Sequence, residues 1–392
     1  MLSALLLAGT LCATSASAYD VDDIPRTRSV SNYLFGEDAL DLDAWAKDLD
    51  DLKAMGFNTV WDVNVWAAYQ PDADGPYDEE KLEKLRGICR LAAEREMDVL
   101  LVVAYLGEGW GPEGVDVPVW PLVPKHRAQH LRFLRWIAEG VGEFGNVFYL
   151  LCTEEILPPT VLYRPNERPE SIAAFRSWAH RTEPDVAYWN ERWGTEYTWE
   201  TLVPHATTER KTIQTWQDMN RWFTALMREY LPPMCTAIRD GDPDAVIGFH
   251  DFLIDPAVSQ PAEERPKAST CGFDFFSIGY YWRTTTDLEG NMKALRDRVE
   301  AARLYHPELP LLCGEIGMAV RKEPVADRDE DEATQVEWFT EALGYLVDEN
   351  AGYSLWAWRT VVPHADATQA LHREADGSPR PALEVVEEIN GR

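Results

Sequence analysis

Eight short apolar segments alternate with amphipathic helical segments along the chain, and this alternation limits the fold more than any other feature of the sequence. The segments read as buried strands because they run almost continuously through Val, Ile, Leu and aromatic residues. They occupy residues 29–35, 59–66, 98–107, 146–151, 245–252, 274–282, 309–317 and 352–360. Strands that are buried on both faces and joined through helices predict a parallel sheet that helices cover.

Eight strand–helix units favour a closed sheet over an open one. The predicted class is α/β, a (β/α)8 TIM barrel whose longest insertion, about residues 156–211, follows the fourth strand. The alternative is a doubly wound open sheet. That fold usually carries a glycine-rich phosphate turn, and neither G-x-G-x-x-G nor G-x-x-x-x-G-K-[ST] occurs. Because no low-complexity linker interrupts the chain, we expect residues 19–392 to form one catalytic domain.

The N-terminal segment, residues 1–18, has the features of an export signal. Its sequence MLSALLLAGTLCATSASA contains no charged side chain and ends in Ala-Ser-Ala. An apolar run before an A-x-A site predicts a cleaved signal peptide, and therefore a secreted or periplasmic protein. No later segment has 18 consecutive uncharged apolar residues, so we expect no membrane span.

Composition narrows the class of ligand. The formal net charge of -30 disfavours nucleic acid and anionic membranes as partners. The 16 Trp, 15 Tyr and 13 Phe serve the core for the most part, but aromatic rings also stack on the apolar C–H faces of sugars, which makes carbohydrate a favoured ligand. The histidines are dispersed and no C-x-x-C occurs, so the sequence predicts no metal site and no cofactor. The oligomeric state stays open.

Two predicted strands, the fourth and the seventh, end in Cys-x-Glu and so deliver Glu154 and Glu315. In a (β/α)8 barrel the carboxyl ends of the strands build the active site. Glycoside hydrolysis needs two carboxyl groups there, one to protonate the leaving oxygen and one to attack the sugar or activate water. A single glutamate would be an ordinary loop residue in a chain with 67 acids, but a pair at two strand ends favours a glycosidase. Strand alternation allows only one of Glu154 and Glu155 to point inward.

Over residues 40–360 the chain resembles the clan A glycoside hydrolases, nearest to family 42 (β-galactosidase-like), with family 5 second. The resemblance is carried by WAKDLDDLKAMGFNTVWDVNVWAAYQP, PYDEEKLEKLRGICRLAAEREMDVLL and FRSWAHRTEPDVAYWNERWGTEYTW. It implies a retaining enzyme that cleaves β-glycosidic bonds in oligo- or polysaccharides by double displacement. In that mechanism Glu154 is the acid/base and Glu315 the nucleophile.

The resemblance also implies residues that bind substrate. Tyr280 or Tyr281 matches a tyrosine that hydrogen-bonds the nucleophile, and Trp356 or Trp358 matches the aromatic floor of the sugar subsite. Thr153 stands where the clan has an asparagine that holds the sugar 2-hydroxyl, and its hydroxyl reaches less far.

A second departure concerns strand two. The clan carries an arginine there, and the matching place here is Trp61 or Asp62. Loss of that arginine removes a positive neighbour of the nucleophile. The two departures leave a second function open, a catalytically decayed barrel that binds carbohydrate. A third is an unrelated barrel hydrolase or lyase. The sugar, the linkage and exo or endo action also stay open.

Three further residues are candidates. Glu155 becomes the acid/base if the register shifts by one position. His250, at the end of the fifth strand, contacts sugar hydroxyls in one interpretation and is purely structural in the other. Trp110, in the loop after the third strand, would form an aromatic wall of the site.

Overall fold

The structure, a computed structural model, describes residues 19–31, 41–63, 65–103, 111–151, 161, 163–251, 271–283, 286–321, 331–358, 367–373 and 377–392. Its centre is a closed barrel of eight parallel strands, which confirms the predicted (β/α)8 class. The strands are β1 (Arg28–Ser31), β2 (Thr59–Val63), β3 (Asp98–Val102), β4 (Val147–Leu151), β5 (Ile247–Asp251), β6 (Phe275–Tyr281), β7 (Leu311–Gly317) and β8 (Gly352–Leu355). Each strand pairs with the next along the chain, and β8 closes the ring on β1.

Helices cover the outside of the barrel. Those of eight or more residues are α1 (Leu42–Ala54), α2 (Glu79–Ala93), α3 (Pro124–Val141), α4 (Pro169–Thr182), α5 (Val186–Trp193), α6 (Ile213–Gly241), α7 (Leu288–Tyr305), α8 (Glu332–Asp348) and α9 (Ala382–Asn390). Several begin at an aspartate whose carboxylate accepts a backbone N–H of the first turn, as Asp287 does for α7. Among the described helices, none combines the length and the apolar composition that a membrane span needs.

The barrel interior is filled with side chains. Alternate strand residues point inward and form a tightly packed cluster, of which the described members include Trp61, Leu100, Val102, Phe148, Leu150, Phe275 and Leu312. The residues between them point outward and join the larger core beneath the helices. A Cβ atom on Gly248 would lie 2.1 Å from the Phe275 ring, so this glycine leaves room for that ring. Because the interior is solid, a binding site of this fold lies at the end of the barrel.

The insertion between β4 and β5 contains α4 and α5 and has an aromatic core of its own. Trp189 and Trp193 of α5 lie 5.3 Å apart there, ring centre to ring centre. Asn190 fixes the turn that follows α5: its Oδ1 accepts hydrogen bonds from the Tyr197 N–H at 2.7 Å and the Thr195 hydroxyl at 2.9 Å. The N-x-x-W-G-T stretch of the sequence is therefore a turn-forming element in this fold.

His130 on α3 is fully buried among the rings of Trp66, Trp120 and Phe133. Within the described residues, neither of its ring nitrogens has a hydrogen-bond partner. Burial lowers the pKa of His130 to about 3, so the folded protein keeps this imidazole neutral. An unfolded chain binds a proton there at about pH 6.5. The free energy of unfolding therefore falls as the pH drops from about 6.5 towards 3, because the unfolded state binds more protons in that window.

We expect His130→Phe to reduce the slope of the unfolding free energy against pH by about 1.4 kcal/mol per pH unit between pH 6 and 4. Phenylalanine fills the same aromatic surroundings and does not titrate. The measurement is the free energy of unfolding in urea at several pH values, for the parent and the variant. His180→Phe, at an exposed position of α4, serves as the control for the exchange of a histidine for phenylalanine. An unchanged slope in His130→Phe would contradict the assignment.

Candidate active site

Glu315 lies at the carboxyl end of β7, at a bulge in the pairing with β6. Cys313 pairs with Ile278, and the next pair is Glu315 with Gly279. Gly314 therefore has no residue opposite it on β6. The pairing with β8 is irregular over the same stretch of β7. Such a bulge adds one residue to a strand and changes the direction of the side chains that follow.

The bulge turns Glu315 into the barrel. Leu312 faces the interior and Cys313 faces the helices, so simple alternation would send residue 314 inward and residue 315 outward. Residue 314 does face inward, since a Cβ atom on Gly314 would lie 2.2 Å from the interior Ser277 Oγ. With the extra residue, Glu315 also points to the interior side.

Tyr281, the last residue of β6, holds the Glu315 carboxylate. Its Oη donates a hydrogen bond of 2.5 Å to Glu315 Oε2, and Glu315 is only 5% exposed. A bond from a phenol to an ionised carboxylate is stronger than one between neutral groups. The adjacent Tyr280 points the other way, and its Oη donates to Asn291 Oδ1 at 2.9 Å. Of the two predicted tyrosines, the structure brings Tyr281 to Glu315.

Asn291 of α7 fixes the loop after β6 and was not found by sequence reasoning. Its Oδ1 accepts the Arg283 N–H at 2.8 Å as well as the Tyr280 hydroxyl. Its Nδ2 donates to the carbonyl oxygens of Thr286 and Asp287 at 3.1 and 2.9 Å. The fully buried amide thus ties the loop to the start of the helix and steadies the end of β6.

His250 lies in the barrel interior below Gly314. Its Nδ1 is 2.7 Å from Ser277 Oγ, and a Cβ atom on Gly314 would lie 3.0 Å from that nitrogen. Burial, with a smaller contribution from the Arg298 charge, lowers the pKa of His250 to about 3, so the ring is neutral. Since the side chain is fully buried, His250 supports the layer beneath the site and is closed to a ligand at the barrel end.

Trp356 follows β8, at the same end of the barrel as Glu315. Its backbone N–H bonds to Ile316 O at 2.9 Å, its ring contacts Trp61 edge to face at 5.2 Å, and it is partly exposed. The peptide bond after Trp356 is cis. Trp358 instead packs outside the interior, where its ring lies 4.3 Å from that of His372. Of the two predicted tryptophans, Trp356 is therefore the one on the interior side of the barrel.

The other predicted site residues, Trp110, Thr153, Glu154 and Glu155, lie outside the described part of the chain. Within that part, no group of three or more His, Cys, Asp or Glu side chains is arranged to hold a metal ion.

For an enzyme that uses Glu315 as its nucleophile, as the resemblance implies, we expect Tyr281→Phe to lower kcat/KM by roughly 10- to 100-fold, because a hydrogen bond to a charged group contributes about 1.5–3 kcal/mol. Tyr280→Phe is the matched control: it removes a hydroxyl from the next residue, but that hydroxyl bonds to Asn291. The control should lose stability and keep most of its activity. Steady-state kinetics and melting temperatures of both variants test this, and equal losses of activity would contradict it.

Known proteins match this chain in structure but not in the sequence searches. No protein-family model matches this sequence, and no curated protein sequence matches it. Solved structures do match. The polyextremophilic β-galactosidase from the Antarctic haloarchaeon Halorubrum lacusprofundi matches with a TM-score of 0.68 and 16% identity, over 93% of this chain and 58% of that chain.

Two further structures are similar. GH5_18 from Streptomyces cattleya, in complex with GlcNAc, has a TM-score of 0.61 and 17% identity, over 93% of this chain and 80% of that one. A catalytic mutant of Gan42B, a GH42 β-galactosidase from G. stearothermophilus, has a TM-score of 0.67 and 14% identity, over 96% of this chain and 57% of that one.

These likenesses concern the fold. GH42 β-galactosidases and GH5 enzymes are the two groups that the sequence resembles, and the structure has the same barrel. The expected resemblance to clan A is therefore confirmed at the level of the fold. The chain spans only 57–58% of the two galactosidases named above.

Proposed function

We propose that the protein is a retaining glycoside hydrolase that cleaves β-glycosidic bonds in oligo- or polysaccharides. The observation that carries the proposal is the hydrogen bond between Tyr281 and Glu315 at the carboxyl end of β7. It holds a nearly buried carboxylate at the place where this fold carries out chemistry. The partly exposed ring of Trp356, at the same end of the barrel, would offer an apolar face to a sugar.

In the proposed mechanism Glu315 attacks the anomeric carbon. The glycosidic C–O bond breaks, the leaving oxygen takes a proton from the acid, and a covalent glycosyl–enzyme forms. Water then attacks the anomeric carbon, the bond to Glu315 breaks and frees its carboxylate, and the same acid residue, now ionised, accepts the proton of the water. The roles of Tyr281 and of the bulge follow from this: they aim the carboxylate and keep it from rotating away.

We assign the acid/base role to Glu154. Phe148 and Leu150 of β4 face the interior. If the side chains kept alternating along the chain, residue 154 would face the interior as well. Glu155 remains the alternative, since one bulge of the kind seen in β7 would exchange the two. Thr153 would then bind a sugar hydroxyl. With the export signal predicted at residues 1–18, the proposed enzyme would be secreted or periplasmic and would meet its carbohydrate outside the cytoplasm.

The test begins with a panel of aryl glycosides and plant or algal polysaccharides. The best substrate found is then matched by a 2-fluoro glycoside, which accumulates as the covalent intermediate. Intact mass and peptide mapping should place one label on Glu315, and Glu315→Gln should take none. A label on another residue, or a product of inverted configuration by NMR, would refute the proposed mechanism.

The second candidate function is carbohydrate binding by a catalytically decayed barrel. Its support is the missing strand-two arginine of the clan: the matching place is Trp61 or Asp62, and Trp61 is a fully buried indole. This function predicts no label and no turnover, together with oligosaccharide binding that Trp356→Ala abolishes. Calorimetric titration with the same sugars separates the two functions.

A further inference from the structure

Arg298 of α7 reaches the seam between β6 and β7 from the helix side. Its Nη1 donates a hydrogen bond of 2.7 Å to the carbonyl oxygen of Gly279. Gly279 is the residue that pairs with Glu315 where the register shifts. A bulge interrupts the regular ladder of backbone hydrogen bonds, so a charged donor at this carbonyl fixes the strand where its own pairing is weakest.

The same guanidinium packs against the next residue of β6. It lies over the Tyr280 ring, 5.7 Å from the ring centre. Arg298 is half-buried, and its contacts thus restrain two consecutive residues, Gly279 and Tyr280, directly before Tyr281. A shift of this segment would move the phenol that holds Glu315.

The charge of Arg298 also acts close to the nucleophile. Burial raises the pKa of the Cys313 thiol to about 12; the Arg298 charge opposes this rise and the Glu315 charge adds to it. Both groups therefore lie near the same sulfur, with opposite effects. On β2 the position that matches the clan's arginine is Trp61 or Asp62, which brings no cation. Arg298 supplies a positive charge from behind the strand instead.

We propose that Arg298 is a positioning residue for Glu315: by fixing the Gly279 carbonyl at the bulge, it keeps the carboxylate and the Tyr281 hydroxyl in register inside the barrel. The inference rests on the proposed role of Glu315 as the nucleophile. Arg298 itself lies behind the sheet and does not touch the substrate.

Three variants test this role. Arg298→Met keeps the aliphatic stem and removes the donor and the charge, whereas Arg298→Lys keeps the charge and one donor. Arg296→Met, at an exposed position of the same helix, is the matched control. On an aryl glycoside, Arg298→Met should lose roughly 10- to 100-fold in kcat, the scale of a misplaced reacting group, with KM within about twofold. Arg298→Lys should regain most of the loss, and Arg296→Met should match the parent.

A purely structural role predicts a different result. It would lower the melting temperature and leave kcat per folded molecule unchanged, and that outcome would overturn the proposal. If Arg298→Met does not fold, Arg298→Leu, which also lacks a donor and a charge, replaces it in the same comparison.

A structural measurement tests the same role without any catalytic turnover. If the parent hydrolyses no substrate, the proposed function fails, and crystal structures of the parent and of Arg298→Met decide about positioning alone. The proposal requires the Tyr281 Oη–Glu315 Oε2 separation to exceed about 3.5 Å in the variant, beyond hydrogen-bond range. A retained short bond would refute it.

Discussion

Replacing Glu315 by alanine is expected to reduce kcat by roughly five to six orders of magnitude on every substrate, the scale on which enzymes lose activity when the nucleophile is removed. The reason is chemical, since no covalent glycosyl–enzyme can form without this carboxylate. The expected loss of folding stability is small by comparison. The Tyr281 hydroxyl loses its hydrogen bond to Glu315, which costs about 1–3 kcal/mol, a loss that a protein of this size tolerates when it is otherwise stable.

Stereochemistry makes this test specific. Azide fits the space that the missing carboxylate leaves and attacks from the same face of the sugar. A β-glycoside with a good leaving group should therefore give an α-glycosyl azide with Glu315→Ala, in a single inverting step. Proton NMR of the product reads the configuration. Circular dichroism and the melting temperature show that the variant is folded, and full activity in a folded Glu315→Ala would refute the nucleophile assignment.

The strands could be predicted from the sequence, but the directions of their side chains could not. Barrel strands are buried on both faces, so apolar residues occupy both sets of positions and the period of two disappears. In the segment 275–282, FFSIGYYW, nothing in the polarity pattern distinguishes the orientation of Tyr280 from that of Tyr281. The packing does, because Phe276 and Ile278 face the helices while Ser277 faces the interior.

The position of Glu315 at a strand end was predicted, whereas its orientation depends on a feature that the sequence hides. The bulge at Gly314 is a property of the pairing between two strands that lie far apart in the chain. A glycine in a strand suggests a bulge but does not give its direction. The seventh strand of this protein thus violates the alternation from which we inferred that only one of Glu154 and Glu155 faces inward.

Asn291 and Arg298 could not have been predicted from local patterns. Each acts through hydrogen bonds to backbone carbonyl oxygens, and those bonds depend on how α7 packs on the sheet. In the sequence, Asn291 lies in the first turn of a helix and Arg298 on a mixed polar face, where such residues are common. Only the three-dimensional arrangement connects them with Glu315.

The acid/base assignment is best tested with two adjacent alanine variants, Glu154→Ala and Glu155→Ala. If Glu154 is the acid/base, its removal should lower kcat/KM for natural glycosides by roughly 10²- to 10⁴-fold, the usual contribution of a positioned proton donor. Substrates with good leaving groups need little protonation and should still form the covalent intermediate. Glu155→Ala, which differs by one position, should keep near-parental activity on both kinds of substrate.

Azide again identifies the role, now with the opposite stereochemistry. In Glu154→Ala the nucleophile remains, so an aryl β-glycoside first forms the glycosyl–enzyme on Glu315, with inversion. Azide then takes the place of the general base and water and attacks with a second inversion, which gives a β-glycosyl azide and faster turnover. A β-azide from Glu155→Ala and none from Glu154→Ala would move the acid/base role to Glu155. An α-azide from either variant would be incompatible with Glu315 as the nucleophile. It would mean a single displacement at the anomeric carbon, whereas reaction through the Glu315 intermediate takes two displacements and restores the β configuration.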